Sequence, residues 1–153
     1  MAFDIERFLD LTGYDTDTRK ERRKNSEVNT QEFFTPYKIV EKMGNKIPEE
    51  DWHNPQKTFL EPCFGNGQFC CYIIWRRITA GVEPLQALKT LYGIELMEDN
   101  VVETKERVLD LLNQMNVSFD IDIAKQILDH NLRCSDFFNW DFRCWCPISK
   151  PLF

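Results

Sequence analysis

The sequence predicts an α/β domain built on a parallel sheet. Two observations lead there. After a helical preface, short apolar runs alternate with amphipathic helical runs in the order β, α, β, α, β. That order gives parallel strands joined by right-handed crossovers. The first strand also runs through Glu61-Pro62 into the turn Gly65-Asn66-Gly67 and then into a helix. Open α/β sheets bind ligands at such carboxyl strand ends.

Each element has its own signal. Asp4 to Leu11 reads as a short amphipathic helix with Ile5, Phe8 and Leu9 on one face. Thr12 to Asn29 is polar and charged and reads as a linker or mobile arm. Thr35-Pro36 reads as a helix start, with Thr35 as N-cap and Pro36 at the first helical position. Ile39, Val40 and Met43 are expected to face inward, and the helix to stop at Gly44. Lys57 to Leu60 is the first strand. Gln68 to Thr79 is an apolar helix closed by Gly81. A short helix from Pro84 to Thr90 precedes the strand Leu91 to Leu96. Glu98 to Met115 is the longest helix, with Val101, Val108, Leu111, Leu112 and Met115 at helical spacing and a charged solvent face. Asp122 to His130 is another helix, and Leu132 to Cys134 a third strand. The aromatic residues from Trp140 onward point to packing.

Composition bounds the function. A chain of 153 residues is one domain long enough for a core. Its 42% hydrophobic and 29% charged residues are ordinary for a soluble globular protein. No apolar run approaches the roughly 18 residues of a membrane span, and the acidic N-terminus is no signal peptide. A cytoplasmic protein without a membrane partner is expected. The net charge of −6 argues against a broad phosphate-binding surface. The basic block Arg19, Lys20, Arg22, Arg23 and Lys24 is the local exception. It reads as a solvated linker, with phosphate contact as the alternative. The 6 cysteines contain no Cys-x-x-Cys pair, and His53 and His130 lie far apart, so no metal site is expected. Mostly buried free thiols are expected instead.

The motifs suit a nucleoside. Gly65 and Gly67 let the backbone turn tightly beside a ligand. A dinucleotide fingerprint fits poorly. Its third glycine position is Cys70, and the next strand's acid, Glu95, lies 28 residues beyond Gly67, against about 20 expected. Glu95 could accept both ribose hydroxyls, with a lysine pair as the structural alternative. Leu96 and Met97 could flank an adenine. Asp136, after the third strand, could accept from an adenine amine, and Phe137 could stack on the ring. Phe137 and Phe138 could equally be core. A helix start at Phe34-Thr35-Pro36 would offer free N–H groups to a carboxylate.

Taken in order, Gln31-Glu32-Phe33-Phe34-Thr35-Pro36, Glu61-Pro62-Cys63-Phe64-Gly65-Asn66-Gly67, Gly93-Ile94-Glu95 and Cys134-Ser135-Asp136-Phe137 resemble the first four landmarks of the S-adenosylmethionine (AdoMet)-dependent DNA adenine-N6 methyltransferases. The resemblance is to the γ-ordered kind found in type I modification subunits and short phage-encoded methylase-like proteins. It covers residues 30 to about 140. It implies a Rossmann-like methyltransferase fold with an incomplete sheet of about three strands. It divides the chain into an N-terminal helix and charged linker (1–29) and a partial methyltransferase domain (30–153). It further implies that Phe34, Thr35 and Pro36 border AdoMet. Glu61, Pro62, Gly65 and Gly67 hold its methionine end, Glu95 and Leu96 its ribose and adenine edge, and Asp136 with Phe137 its adenine. Glu61 stands where Asp is more usual, and Cys63 and Phe64 replace small residues.

One departure concerns catalysis. The family's catalytic tetrapeptide, Asn or Asp, then Pro-Pro-aromatic, binds the target amine and stacks on a flipped base. This sequence has none. Asn54-Pro55 comes too early, and Cys146-Pro147 lacks the pattern. The resemblance therefore implies a domain truncated before that motif, with no catalytic residue assigned. Three functions stay open: a DNA-modifying enzyme of a restriction–modification system, completed by a second polypeptide or copy; a catalytically inactive relic that binds AdoMet or a partner, such as an anti-restriction protein; or a methyltransferase acting on RNA or protein. DNA and a homo-oligomeric or second-chain partner are the expected partners, and the edge of the third strand, or whichever edge the missing strands would cover, is expected to be open.

Overall fold

A computed structural model describes residues 2–13 and 34–148. Helix α1 (Ile5–Gly13) is followed by α2 (Tyr37–Gly44) and the single turn α3 (Glu49–His53). Strand β1 (Phe59–Glu61) then leads to α4 (Gln68–Thr79), α5 (Pro84–Lys89) and β2 (Leu91–Glu95). Next come α6 (Glu98–Gln114), α7 (Ile121–Asn131) and β3 (Leu132–Cys134). A 3-10 turn at Phe137–Asn139 leads into a small hairpin of β4 (Trp140–Asp141) and β5 (Cys146–Pro147).

The three main strands form one parallel sheet in the order β1-β2-β3. Leu60 aligns with Tyr92, Gly93 with Leu132, and Glu95 with Cys134. Alternation sorts the side chains onto two faces. Phe59, Leu91 and Leu132 face the helices and join one hydrophobic core with α1, α4, α6 and α7. Leu60, Tyr92, Ile94 and Arg133 lie on the second face. There Trp145 meets Tyr92 edge-on at 4.8 Å, and the Arg133 guanidinium sits 5.5 Å from the Trp140 ring. The β4–β5 hairpin thus covers this second face. Between the hairpin and β1 lies a cavity of about 380 Å³, lined by residues including Leu60, Phe142 and Trp145.

Helix ends follow local chemistry. Glu83 accepts from the Leu85 and Gln86 N–H groups and precedes Pro84, so α5 is capped and started by adjacent residues. Asp120 caps α7 through the Ile123 N–H at 3.0 Å. Gly81 takes a positive φ of 100° just past α4, as a helix-terminating glycine does.

Several expectations need correcting. Thr35 does not cap α2; Pro36 occupies the N-cap position, and no side chain caps the helix. The Thr35 carbonyl accepts from Gln68 Nε2 at 3.1 Å. The inward stripe of α2 is Tyr37, Val40 and Gly44, whereas Ile39 and Met43 are about half exposed. Contact with Tyr72 sets that rotation: a Cβ on Gly44 would lie 2.5 Å from the Tyr72 ring. The thiols are not mostly buried. Only Cys70 and Cys71 are; Cys63, Cys134 and Cys144 are exposed and Cys146 is intermediate. Neither Phe137 nor Phe138 is core, Phe138 being 83% exposed. The basic block at 19–24 and residues 31–33 lie outside the described residues.

Two arginines sit unexpectedly deep. Arg77 of α4 is fully buried, donating to the Thr90 hydroxyl and, at 2.5 Å, to the Asn54 carbonyl. Arg107 belongs to the helix whose polar side was expected to face solvent, yet only 6% of it is exposed.

Candidate functional site

The carboxyl ends of β1, β2 and β3 bring most of the predicted residues together. Glu95 ends β2 and is 8% exposed. One carboxylate oxygen accepts from the Gly65 N–H at 2.8 Å and the other from the Met97 N–H at 3.0 Å. Parallel pairing makes this contact possible, because it sets the turn after β1 beside the end of β2. Each carboxylate oxygen keeps lone-pair capacity for a second donor.

The glycine turn is shaped by positive φ at both ends, 54° at Gly65 and 92° at Gly67. Gly67 also permits close approach: a Cβ there would stand 2.6 Å from Thr104 Cγ2. Thr104, on α6, donates to the Gly65 carbonyl at 3.1 Å. Phe64 is buried with its ring against Gly93, where a Cβ would meet it at 2.5 Å. The large residue in the turn is thus matched by a missing side chain on β2.

The upstream segment docks on this turn. The Phe34 ring lies 3.4 Å from where a Gly65 Cβ would stand. Thr35 is tied to Gln68, the first residue of α4. Pro36 is exposed, and the first-turn N–H groups of α2 carry no side-chain cap. Phe34, Thr35 and the glycine turn therefore form one neighbourhood.

Arg107 holds it. Its guanidinium donates to the Asn66 carbonyl and to Gln68 Oε1, both at 2.7 Å. It also donates to the Thr12 hydroxyl at 3.0 and 3.1 Å. One side chain thus links α1, the glycine turn and α4. Sequence reasoning missed it, since a charged residue in a helix full of charges carries no distinguishing signal.

The site is acidic. Burial raises the Glu61 pKa, and the Glu95 charge raises it further, against the lowering effect of the Cys63 N–H bond. The Cys63 thiol is pushed up by desolvation and then by Glu95, Glu61 and Asp136. Three carboxylates from three strand ends thus surround one point. Among the described residues, none of the three forms an ion pair.

The third strand contributes less. Asp136 uses one carboxylate oxygen to cap the 3-10 turn through the Phe138 N–H at 3.0 Å. Phe137 is partly exposed and packs on Phe142 at 5.0 Å. Leu96 is 58% exposed beyond Glu95, and its carbonyl accepts from the Cys134 thiol. Pro62 continues the chain from Glu61 into the turn. Among the described residues no cluster suited to a metal ion occurs, and no helix is long and apolar enough to cross a membrane.

Comparison with protein-family models, with curated proteins and with solved structures finds no match to this chain. The fold is mixed α/β with a three-stranded parallel sheet.

Proposed function

We propose that this chain is an AdoMet-binding protein of the DNA adenine-N6 methyltransferase type, with a Rossmann-like sheet. The observation that carries the reading is the bond from the Gly65 N–H to the Glu95 carboxylate, across 30 residues of sequence. It joins a strand-end acid to a glycine turn on the neighbouring parallel strand, the arrangement a nucleoside needs. The residues fit the group. Glu95 has lone pairs for ribose hydroxyls. Glu61 and the acidic surroundings suit a ligand carrying ammonium and sulfonium charges. The uncapped start of α2 suits a carboxylate. On this reading Asp136 accepts from the adenine amine and Phe137 stacks on its ring.

AdoMet supplies an electrophilic methyl group when bound. The chain's own residues bind and orient; rate enhancement in such a transfer comes from positioning. No described residue is assigned to the target amine, because the sequence contains no Asn/Asp-Pro-Pro-aromatic tetrapeptide. A binding protein without chemistry is the second reading. On the enzyme reading, a second copy or chain supplies the missing groups at the free edge of β1, which has a strand neighbour on one side only among the described residues.

The test is calorimetric titration of AdoMet into the full chain and into Glu95→Gln, with circular dichroism to confirm that both are folded. Saturable binding lost in the variant supports the site. Absence of binding by the folded parent protein overturns the AdoMet reading. Transfer of labelled methyl to adenine-containing DNA then separates the enzyme from the binding protein.

A further inference from the structure

The hairpin over the second sheet face carries a pair of thiols that the cofactor site does not use. Cys144 and Cys146 flank Trp145, and their Sγ atoms lie 2.7 Å apart. In an extended strand, residues two apart are separated by about 6.5 Å at Cα. Disulfides prefer about 5.5–6 Å between Cα atoms, so a straight strand would hold such a pair slightly too far apart and poorly aimed. The backbone here is not straight. Trp145 has a φ of 52°, a left-handed conformation that a bulky residue adopts only when its surroundings hold it there.

Those surroundings are specific. The Trp145 indole donates to the His130 carbonyl at 2.7 Å. Its ring meets Tyr92 at 4.8 Å, Trp140 at 5.3 Å and Phe142 at 6.1 Å. On the other side, β4 and β5 fix the hairpin through the Asp141–Cys146 pairing. The left-handed turn between the cysteines is therefore imposed by the fold, and it brings two sulfurs together on an exposed loop.

We propose that Cys144 and Cys146 form a reversible dithiol–disulfide site that exchanges with small disulfides of the glutathione class. Cys144 is the exposed thiol and Cys146 the half-buried one, so Cys144 attacks and Cys146 resolves. The Cys144 thiolate attacks one sulfur of the small disulfide, forming a mixed disulfide and releasing one thiol. Cys146 then attacks Cys144 Sγ and releases the second thiol. One small S–S bond and two protein S–H bonds are lost; one protein S–S bond and two small-molecule S–H bonds form. The protein is oxidised and the small disulfide reduced.

The kinetics should be slow at neutral pH. The Cys144 pKa is pushed up to about 11 by the neighbouring Cys146, by desolvation and by the Asp141 charge. Thiolate is the attacking species, so the rate rises with pH across the neutral range. Such a pair suits a reporter of redox poise better than a fast exchange catalyst.

The full chain is equilibrated in glutathione buffers of increasing oxidised fraction, then alkylated and analysed by mass and by tryptic mapping. The expected product has lost two hydrogens within the peptide that follows Arg143. That peptide holds Cys144 and Cys146 but neither Cys63 nor Cys134. Tryptophan fluorescence should change with the same midpoint. In Cys146→Ser, glutathione should accumulate on Cys144, and in the Cys144→Ser, Cys146→Ser double variant the fluorescence change should vanish. The proposal is overturned if that peptide stays fully alkylated in excess glutathione disulfide, if the bridge maps to Cys63 or Cys134, or if the double variant keeps the fluorescence change.

Discussion

Replacing Arg107 with methionine tests whether one buried cation organises the glycine turn. Methionine fills similar volume without charge, so the change removes donors and leaves little cavity. Two buried acceptors lose the guanidinium donor, the Asn66 carbonyl and Gln68 Oε1, each bonded at 2.7 Å. Depriving a buried acceptor of its donor costs about 1–3 kcal/mol. The Thr12 hydroxyl also loses its contacts, but it is part-exposed and keeps its own bond to the Phe8 carbonyl at 2.7 Å, so its share is small. Relief from burying a charge that has no carboxylate partner among the described residues works the other way. Two acceptors set a range of about 2–6 kcal/mol, and that relief brings the balance to a loss of about 3 kcal/mol, in its lower half. For a protein of ordinary stability, about 5–15 kcal/mol, that is a large fraction. Urea unfolding followed by circular dichroism reads it directly. With a slope of about 2 kcal/mol per molar, the midpoint should fall by about 1.5 M. A fall of less than about 0.3 M would mean that water or rearranged neighbours replace the guanidinium, and that Arg107 does not hold the turn.

Three further outcomes follow from individual contacts. Gly67→Ala combines a positive φ with a 2.6 Å clash against Thr104, whereas Gly81→Ala has a positive φ in open space. Thermal unfolding should therefore show Gly67→Ala costing about 2–4 kcal/mol and Gly81→Ala only about 1; equal losses would refute the role given to Thr104. Burial and Glu95 hold the Glu61 pKa above its usual value, so ionisation opposes folding, and its neutral form's contribution is lost as pH rises through the raised value. Glu61→Gln should thus raise stability at neutral pH and match the parent below about pH 4, where the group is protonated in both states; denaturant melts at both pH values decide it. Leu60 is half exposed at the middle of the open strand β1. If a second copy covers that edge, Leu60→Lys should convert a dimer to a monomer in light scattering, whereas a parent protein that is already monomeric refutes self-association there.

Where a residue's job is local, the sequence was readable. Helix α4 spans Gln68–Thr79 and β3 spans Leu132–Cys134, both as periodicity and turn residues predict. The contact of Glu95 with the glycine turn was also foreseeable, because strand ends in a parallel sheet converge. What failed depended on partners far along the chain. The inward face of α2 is chosen by Tyr72, not by the most hydrophobic stripe available. Arg107 resembles a surface arginine until Thr12, Asn66 and Gln68 are placed around it. The β4–β5 hairpin has strands of only 2 residues each, too short for any alternation to show. Its order comes from aromatic rings meeting across the sheet, which no window of sequence displays.

The acids at the strand ends raise a question of balance. Glu61, Glu95 and Asp136 gather near Cys63, and among the described residues none has a cationic partner. Asp136 is exposed, but part-buried Glu61 faces the buried Glu95, and bringing those two like charges together out of water opposes folding. Backbone N–H groups from Cys63, Gly65, Met97 and Phe138 offset part of that cost, and they also fix the directions in which the remaining lone pairs point. A cationic ligand would supply the missing charge without displacing those bonds. On the proposed reading, AdoMet therefore stabilises the fold in two ways, through its contacts and by relieving the repulsion already present. The two are separable. Thermal shifts should be larger for AdoMet than for its uncharged-sulfur product, S-adenosylhomocysteine, and the difference should shrink in Glu61→Gln. Equal shifts for both compounds in the parent protein would show that the acids serve the fold and not the sulfonium.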